Sequence, residues 1–587
     1  MTTRITTYEY DWRGRQIAIH GEEGFAQRTE YDNLDRPIRV ERYDTVVPAA
    51  GSSSSSSSSS GGTVGNLISR ADTKYDARGR VYQTHRYAVN PQTGEVGNAL
   101  IDRTWYDASG RVIKQQPAGS QQFTKFQYDS LGRQVKQFIG YDTDESTFAE
   151  AASITDDTIL EQIETDYDAA GNAIQTTHRQ RYHNATGTGE LGTPSSGQPK
   201  ARVTYVAMYH DAIGRRTATA DYGTNGGSSL SRSATIPARS DTILVSSTAY
   251  NAAGQVATTT SPRGIDTCFE YDAVGRQTKQ IQNCVEASSS SSGQYDSDDL
   301  NVTVETAYNA DGNVRSITAK NPITGDQVTQ YVYGTTLSDS GIASSQLKRA
   351  EIYPDSDDMA SPLGNGPDET YDRIEFKYNR QGEVVEIKDQ NETVRAFNYD
   401  GLGRRTEDRV ITVGSGVDDA VRRISTTYEI RGLREKLTSW DNATVGSGDV
   451  VNEVLFAYND FGQLITEYQA HGGSVNTSTT PKVQYGYADG SNNTIRPTSL
   501  TYPSGRVITY DYGAANSAAD AVGRIASIID DDVSETHLAD YTYLGLGTFV
   551  EVDYTEPDIK YTLGGLAAGN DPDTGDIYHG LDRFGRV

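Results

Sequence analysis

The sequence predicts an all-β protein made of repeated antiparallel β-hairpins that are wound into a spiralling sheet. Two observations lead to this fold class. The turn motif Tyr-[Asp/Asn/Glu]-x-x-Gly recurs twelve times, and a unit that recurs along a chain in this way marks a repeat architecture. Apolar residues plus glycine also make up only about 38% of the chain, against roughly 45–50% in ordinary globular domains. Thick cores are therefore not expected.

The repeat unit has the length of a hairpin. Clean copies begin at Tyr10, Tyr75, Tyr106, Tyr128, Tyr167, Tyr250, Tyr271, Tyr308, Tyr378, Tyr399, Tyr428 and Tyr458. Looser copies begin at Tyr31, where Asp35 replaces glycine, at Tyr209, with one inserted residue, and at Tyr502, which Pro503 follows in a shorter turn. The closest copies are 21 or 22 residues apart, which is enough for two strands of typical length and two turns.

Each copy of the motif is typical of a tight turn. In Tyr128-Asp129-Ser130-Leu131-Gly132-Arg133, aspartate takes the first position of a type I turn and glycine the fourth. The carboxylate can accept from backbone N–H groups further on, and glycine tolerates the positive φ of a bulged hairpin. The flanking segments, such as 382–388 and 462–468, are rich in β-branched or aromatic residues and partly alternating, which is typical of strands.

The predicted turn residues are structural rather than catalytic, because a scaffold repeats whereas a catalytic site usually occurs once. No catalytic, cofactor or metal residue is predicted. The structural set comprises Tyr10, Asp11, Gly14, Tyr75, Asp76, Gly79, Tyr106, Asp107, Gly110, Tyr128, Asp129, Gly132, Tyr167, Asp168, Gly171, Tyr271, Asp272, Gly275, Tyr399, Asp400 and Gly403. Their tyrosines are expected to pack between neighbouring hairpins, with carbohydrate stacking as the alternative.

Few segments depart from the hairpin pattern. Residues 154–168 are expected to hold a short turn of helix with Asp156 or Asp157 as its N-cap. Serine-rich loops are predicted at 51–62 and 287–293, and longer insertions near 183–200, 222–242, 336–370 and 470–482. No change in composition divides the chain, so residues 1–587 are treated as one region.

The repeat has to protect the edges of its sheet, since exposed edges invite aggregation. Solenoid stacking, a propeller and a continuous spiralling sheet are the candidates. A propeller blade of four strands in about 40–45 residues would take two copies of the repeat. The gaps between copies are irregular, however, and a wound sheet accommodates hairpins of unequal length better than a propeller does.

Charge and hydropathy exclude several classes of protein. The net charge is −27, from 80 acidic and 53 basic residues, and no cluster of Lys and Arg provides the basic surface that a nucleic-acid binder needs. No stretch approaches the roughly 18 consecutive apolar residues of a membrane-spanning helix. The N-terminus enters a repeat at once without an apolar signal core, so the chain is expected to be a segment of a longer protein.

Candidate metal ligands give only a weak pattern. The eight histidines are scattered, and His178 and His183 do not have a zinc spacing. Acidic loops at Asp296-Ser-Asp298-Asp299, Asp355-Ser-Asp357-Asp358 and Asp530-Asp531-Asp532 lack the EF-hand pattern. Weak Ca²⁺ binding in these loops is the one cofactor alternative to solvated acidic turns.

Cys268 and Cys284 flank the turn at Asp272–Gly275. If Tyr271 pairs with Arg276, Cys268 lies opposite Lys279, five residues short of Cys284. A direct cross-strand disulfide is therefore not expected in a regular hairpin, although an excursion of the loop would bring the thiols together, and a secreted location would favour the bond.

The turn sequences resemble those of the YD-repeat family, also called RHS repeats, over nearly the whole chain. The most specific matches are Tyr-Asp-Ala-Arg-Gly-Arg (75–80), Tyr-Asp-Ser-Leu-Gly-Arg (128–133), Tyr-Asp-Ala-Val-Gly-Arg (271–276) and Tyr-Asp-Gly-Leu-Gly-Arg (399–404). The resemblance implies a hollow β-shell, here partial, like those of bacterial toxin-complex cocoons, polymorphic toxins, wall-associated proteins and the related teneurins. The family's Asp-Pro-x-Gly autoproteolysis motif has only a loose counterpart at 571–575.

The resemblance implies a structural rather than enzymatic role. We expect a secreted or cell-surface shell that encloses a C-terminal cargo or toxin domain of the same parent chain, or that forms the body of a large surface protein. Two alternatives stay open. One is an adhesin or carbohydrate-binding module that contacts a surface protein or glycan through its loops, and the other is a toxin whose enzyme domain lies beyond Val587. Nucleic acid and a membrane span are not expected.

Overall fold

The computed structural model describes residues 4–45, 65–145, 147–195, 197–285, 299–321, 323–565 and 569–587. Both predicted serine-rich loops lie outside these ranges. Within them the regular secondary structure is almost entirely β-strand, which confirms the predicted all-β fold of antiparallel hairpins.

Thirty-nine strands follow one another along the described residues. The first half contains β1 Thr7–Tyr10, β2 Gln16–His20, β3 Ala26–Tyr31, β4 Pro37–Tyr43, β5 Leu67–Tyr75, β6 Val81–Val89, β7 Val96–Tyr106, β8 Val112–Gln116, β9 Gln122–Tyr128, β10 Gln134–Tyr141, β11 Thr158–Tyr167, β12 Ala173–Arg181, β13 Ala201–His210, β14 Arg216–Gly223, β15 Leu244–Tyr250, β16 Val256–Thr260, β17 Asp266–Tyr271, β18 Gln277–Gln282, β19 Val302–Tyr308 and β20 Val314–Ala319.

The second half contains β21 Gln327–Thr335, β22 Ser344–Ile352, β23 Met359–Ala360, β24 Leu363–Gly364, β25 Ile374–Tyr378, β26 Val384–Lys388, β27 Val394–Tyr399, β28 Arg405–Thr412, β29 Arg423–Tyr428, β30 Arg434–Trp440, β31 Val450–Tyr458, β32 Leu464–Ala470, β33 Lys482–Tyr487, β34 Pro497–Thr501, β35 Val507–Asp511, β36 Ser527–Asp530, β37 His537–Leu544, β38 Thr548–Tyr554 and β39 Ile559–Thr562.

Thirty-seven of these strands form one continuous sheet. Each strand pairs antiparallel with the strand before it and the strand after it. The small β23–β24 hairpin stands apart, so that β22 pairs directly with β25. The sheet is therefore a long strip of consecutive hairpins. One margin of the strip carries the predicted Tyr-containing turns, and we call it the motif margin; the other connections form the opposite margin.

Helix is confined to short segments in the described ranges. These are α1 Phe148–Ala151, α2 Ala518–Val522 and single 3-10 turns at Asn225–Gly227 and Ser491–Asn493. The predicted helix at 154–168 is wrong, because Thr158–Tyr167 is strand β11 and is hydrogen-bonded to β10 and β12 on its two sides. The helix instead lies just upstream, where Thr147 and Glu150 form a capping box.

The strip winds back upon itself. Hydrogen bonds join Arg4 to Glu383, Ile101 to Asn493, and Glu161 to Leu546, at sequence separations of 379, 392 and 385 residues. Because these separations are nearly constant, one revolution of the strip takes roughly the same number of residues throughout. Residues 379–587 therefore lie against residues 4–227, and we call these two segments the stacked region.

Residues 228–377 lie between the two stacked segments, and we call them the single-layer arc. They bond to the strands that adjoin them along the strip, as β15 does to β14 and β25 to β26. A position one revolution away from any residue of this arc would fall outside residues 1–587, so the contacts described for the arc are those along the strip.

The strip is one sheet thick over most of its length, as the low apolar content predicts. The accessible surface of the chain is 31490 Å², whereas a compact monomer of this mass, 63.9 kDa, would expose roughly 20,000 Å². The excess follows from the two wet faces of a single sheet.

Candidate functional site

The recurring turn has the same backbone hydrogen bond, from the residue four positions on, at each of the predicted aspartates, and Asp129 illustrates its fullest form. Its Oδ1 accepts from the backbone amides of Leu131 and Arg133, at 2.9 Å each, and its Oδ2 accepts from the Arg133 guanidinium at 2.7 Å. Donation by the Arg133 amide, joined by its side chain, lowers the pKa of Asp129. Gly132 has a φ of 82°, which favours glycine.

All the predicted turn tyrosines lie on the motif margin. Each ends a strand, and the register shifts by a bulge at the tyrosine, as at Tyr10 opposite Gln16, Tyr75 opposite Val81 and Tyr106 opposite Val112. The same bulge follows at Tyr128, Tyr167, Tyr271 and Tyr399. The paired aspartates accept from the residue four positions on at Asp11, Asp76, Asp107, Asp168, Asp272 and Asp400.

In the structure, two of the looser copies of the motif differ from what the sequence predicts. The turn after β13 has no inserted residue, because Asp211 accepts from the Arg215 amide and His210 takes the place of the tyrosine. Tyr209 instead is buried in a cluster on the sheet. Tyr502 lies in the turn between β34 and β35, on the opposite margin. Its backbone amide donates to the Arg506 carbonyl and its carbonyl accepts from the Gly505 amide, as the backbone of a motif aspartate does.

Consecutive motif turns are linked into a row along the margin. The Arg276 guanidinium lies 4.4 Å from the ring centre of Tyr308, the tyrosine of the next turn, within the range of a cation–π contact. The Tyr308 hydroxyl donates to the Gln277 carbonyl at 2.8 Å. Arg404 and Tyr428 repeat this arrangement. The motif therefore joins neighbouring hairpins as well as closing each turn.

Several turns use a complementary pair of side chains that the motif alone does not specify. Where asparagine replaces aspartate, an acceptor can replace arginine four residues later: the Asn251 amide donates to Gln255 at 2.9 Å, and the Asn459 amide donates to Gln463 at 3.0 Å. Comparing the second and sixth motif positions across the copies would have revealed this exchange in the sequence.

The two revolutions meet where motif turns of the second contact the opposite margin of the first. The Gly401 amide donates to the Glu23 carboxylate at 3.1 Å, and the Val89 amide donates to the Asp460 carbonyl at 3.1 Å. The Gly545 amide likewise donates to the Arg181 carbonyl at 2.8 Å. Hydrogen bonds between turns of the two revolutions thus form the line along which the revolutions meet, which we call the seam.

The end of the described chain fastens the seam. Arg202 and Asp576, both almost fully buried, form an ion pair, and Arg202 also donates to the Asp582 carbonyl. Tyr578 is completely buried and packs edge-on against Tyr182, with ring centres 5.2 Å apart. We call residues 569–587 the clasp, because they hold the second revolution against β12–β14 of the first.

The two cysteines are joined by the excursion of the chain that the sequence left open, and not directly across the hairpin. Cys268 and Cys284 form a disulfide with Cα atoms 6.0 Å apart. The assumed register was wrong by the bulge: Tyr271 pairs with Gln277, which places Cys268 opposite Ile281. The chain beyond β18 then turns back, and the Cys284 amide donates to the Asp266 carbonyl. The disulfide lies in the single-layer arc.

Candidate cation ligands meet at two places in the described ranges. Asp357, Asp358 and Asp372 lie together, as do Asp142, Glu145 and Asp157. Arg373 forms an ion pair with Asp358 at 2.8 Å and so supplies positive charge to the first group. Weak Ca²⁺ binding in the acidic loops stays a prediction; Asp296 and Asp298 lie outside the described residues.

Two lysines supply positive charge to the second group. Lys114 and Lys125 are buried beside Glu145, with Nζ to carboxylate distances of 2.6 and 3.0 Å, and Lys125 also lies 2.7 Å from Asp157. Burial raises the pKa of Asp157 to about 6 and lowers the pKa of Lys114. This cluster anchors the β10–β11 connection on one face of the sheet.

The sequence matches no family model and no curated protein. Among solved structures, the crystal structure of TcdB2-TccC3-TEV is 13% identical over 99% of this chain and 32% of its own length, with a TM-score of 0.32. The Tc holotoxin pore of Photorhabdus luminescens is 12% identical over 93% of this chain and 30% of its own, with a TM-score of 0.21. The chain therefore spans about a third of the length of each.

Proposed function

We propose that this chain is a non-catalytic structural protein that forms the wall of a hollow shell. The observation that carries the proposal is the strip itself: it is one sheet thick, it completes more than one revolution, and its revolutions meet edge to edge. A strip that returns to its own margin surrounds a space, and a wall that is wet on both faces needs no deep apolar core.

The proposed content of the shell is a polypeptide cargo, namely a C-terminal or toxin domain of the same parent chain. This rests on the sequence resemblance of the turns to YD repeats. The proposed location is outside the cell or at its surface, which the Cys268–Cys284 disulfide supports, since disulfides persist mainly in oxidising compartments. No helix among the described residues is long and apolar enough to cross a bilayer.

Small-angle X-ray scattering tests the wall. A compact protein of 587 residues has a radius of gyration of about 25 Å, and we expect a clearly larger value, with particles in negative-stain electron microscopy that are light at the centre. A radius near that of a compact protein, with solid particles, would contradict the shell.

Protection of a tethered protein tests enclosure. A small protease-sensitive domain is joined after Val587 through a flexible linker, and its digestion is compared with that of the same domain added as a separate protein. Slower digestion of the tethered domain is expected. Equal rates would show that the strip does not enclose a domain joined to its end, whatever the shape of the strip.

A further inference from the structure

Two cavities lie along strand β7 and share one residue, Arg103. The first has a volume of about 430 Å³ and runs from Arg103 to Gln121 and to Asn493 of the second revolution. The other has a volume of about 400 Å³ and runs from Arg103 past Trp105 to Phe148. Because Arg103 lines both, we treat the two cavities as one site that follows β7 from the seam toward the motif margin, and we call it the Arg103 groove. Each cavity falls in the size range of small-ligand sites.

Arg103 occupies the middle of this groove. It pairs in register with Gln83 of β6 and Gln116 of β8, so the two amide side chains flank it on the same face. No hydrogen bond or ion pair joins the Arg103 side chain to any residue in the described part of the chain. The motif arginines Arg111 and Arg133, by contrast, each bind a carboxylate.

A second cation lies on the same face. Lys74 of β5 is in register with Gln83, and among the described residues it too has no carboxylate partner. Asp72, which precedes it on this face of β5, is already paired with Arg70 and Arg39 at 2.7 and 2.9 Å. In a protein of net charge −27, two cations that no described carboxylate neutralises beside a groove indicate an anionic ligand.

Much of the remaining lining suits a ligand rich in hydroxyl groups, and Asp76, the one carboxylate among the lining residues, is paired with Arg80 at 2.7 Å. The Gln121 Oε1 atom is buried and accepts no hydrogen bond from the described residues. Gln83, Gln116 and Asn493 add amides that keep some donor or acceptor capacity beyond their bonds to His85, the Gln121 carbonyl and the Ile101 backbone. At one end, Trp105 and Phe148 supply aromatic surface, and Phe148 is 57% exposed.

From these contacts we propose that the Arg103 groove binds an acidic oligosaccharide, with Arg103 on a sugar carboxylate, the amides on hydroxyl groups and the aromatic rings against a sugar face. An acidic peptide suits the groove less well. Peptides in extended form bind through backbone hydrogen bonds to a free sheet edge, whereas β7 is paired with β6 and β8 on both sides. Recognition here has to use side chains.

The test measures binding of hexagalacturonate, its fully methyl-esterified form and hexaglutamate by isothermal titration calorimetry. We expect hexagalacturonate to bind and the neutral ester to bind at least tenfold more weakly. Arg103→Gln should weaken hexagalacturonate binding by about 10- to 100-fold, the range for losing a hydrogen-bonded charge, and Lys74→Gln by a smaller factor. Added salt should weaken hexagalacturonate binding.

Arg86→Gln is the matched control. Arg86 lies on β6, where it pairs with Leu100 and so faces the other side of the sheet, and its side chain is 62% exposed. Its variant should bind as the wild type does. If Arg103→Gln does not fold by circular dichroism, Arg103→Lys keeps the charge without the planar fork, and intermediate affinity is expected.

Four outcomes would overturn the proposal. These are no binding of hexagalacturonate, wild-type affinity in the folded Arg103 variant, equal weakening by Arg86→Gln and Arg103→Gln, and tighter binding of hexaglutamate than of the sugar. The last outcome would assign the groove to an acidic peptide instead.

Discussion

The single-layer arc and the stacked region are built from the same hairpin and differ in what surrounds it. In the arc, apolar side chains are buried near the two ends, at Val245, Ala350 and Ile352, and none is buried among the described residues between Val245 and Ala350; the second revolution has a similar stretch between Phe397 and Ile508. The stacked region holds hydrophobic clusters around Phe123 and around Tyr578, and most of a third around Tyr205. The motif row nevertheless runs through both regions with the same contacts, such as Arg276–Tyr308 in the arc and Arg404–Tyr428 in the second revolution.

This difference separates two sources of stability. Bonds along the strip, which are the ladders and the motif row, are local and occur in both regions. Burial of apolar surface arises where a long connection folds back over a face or where the second revolution meets the first. The two cysteines of the chain form their disulfide in the part of the arc between Val245 and Ala350, where no described apolar side chain is buried, and the covalent link stabilises this part by restricting the unfolded chain.

The clasp should give the largest effect. Arg202→Met leaves the Asp576 carboxylate buried without its guanidinium, and breaking a buried pair in this way costs about 3–5 kcal/mol. Because the pair lies on the seam, we expect residues 569–587 and β13 to exchange amide hydrogens much faster, while exchange in the arc is unchanged.

Two further variants serve as controls for this prediction. Arg202→Met/Asp576→Leu removes both charges and should restore much of the protection. Arg263→Met changes an exposed arginine of the arc and should alter neither segment. Faster exchange throughout the chain in Arg202→Met would show that the seam and the arc unfold as one unit, so that the two regions would not differ in stability.

The disulfide should give the next effect, confined to the arc. It closes a loop with a sequence separation of 16 residues, for which chain-entropy arguments give about 3 kcal/mol. Cys268→Ser/Cys284→Ser should therefore expose β17 and β18 to exchange and leave the clasp protected.

Reductant provides the matched control for this prediction. Dithiothreitol should destabilise the arc of the wild type and have no effect on the double variant. In the untreated native protein we expect no thiol to react with a maleimide, and two reactive thiols would contradict the bond itself.

The sequence was sufficient for the features that depend on neighbours along the chain. The turn motif predicts hairpins because the Asp129 carboxylate, the Gly132 conformation and the Arg133 side chain all act within six residues. The same reasoning failed at Cys268, where one unconsidered bulge shifted the register by two residues. It also placed a helix at 154–168, where the motif tyrosine Tyr167 already required a strand.

Contacts between revolutions had no signal in a single sequence. Arg202 and Asp576 are 374 residues apart, and Asn493 reaches Ile101 across 392 residues. The partner of each depends on how many residues complete a revolution, which follows from the twist and bulges of all the intervening strands. The Arg103 groove was missed for the same reason, since one of its walls comes from the second revolution.

Removing a hydroxyl from the motif row should reduce stability by a smaller amount, which we expect to be equal in the two regions. Tyr308→Phe and Tyr428→Phe each remove one hydroxyl that donates to a carbonyl, at 2.8 and 2.9 Å, at a cost of about 1 kcal/mol. Each loss should appear as faster exchange of the two hairpins that the tyrosine joins. A cost several times larger at Tyr428 would mean that stacking, rather than the row, determines the contribution of the motif.

Acidification should have the smallest effect on stability, and it should destabilise the stacked region around β6 but not the arc. Burial, reinforced by the nearby Lys74 cation and, more weakly, by Arg103, lowers the pKa of His85 below its ordinary value of 6.5, although Asp72 opposes the shift. The unfolded chain then binds more protons than the folded one below that pH. Neutral His85 therefore adds to the free energy of unfolding above pH 6.5, and this contribution is lost as the pH falls below that value.

Between pH 7.5 and 5.5 we expect a loss of at most about 1 kcal/mol around β6, and His85→Gln should abolish it. The arc contains no histidine from 228 to 377, so its amide protection, corrected for the intrinsic pH dependence of exchange, should stay level over this range. A loss in the arc equal to that around β6 would mean that protonation acts on the strip as a whole, and the two regions would then not be independent.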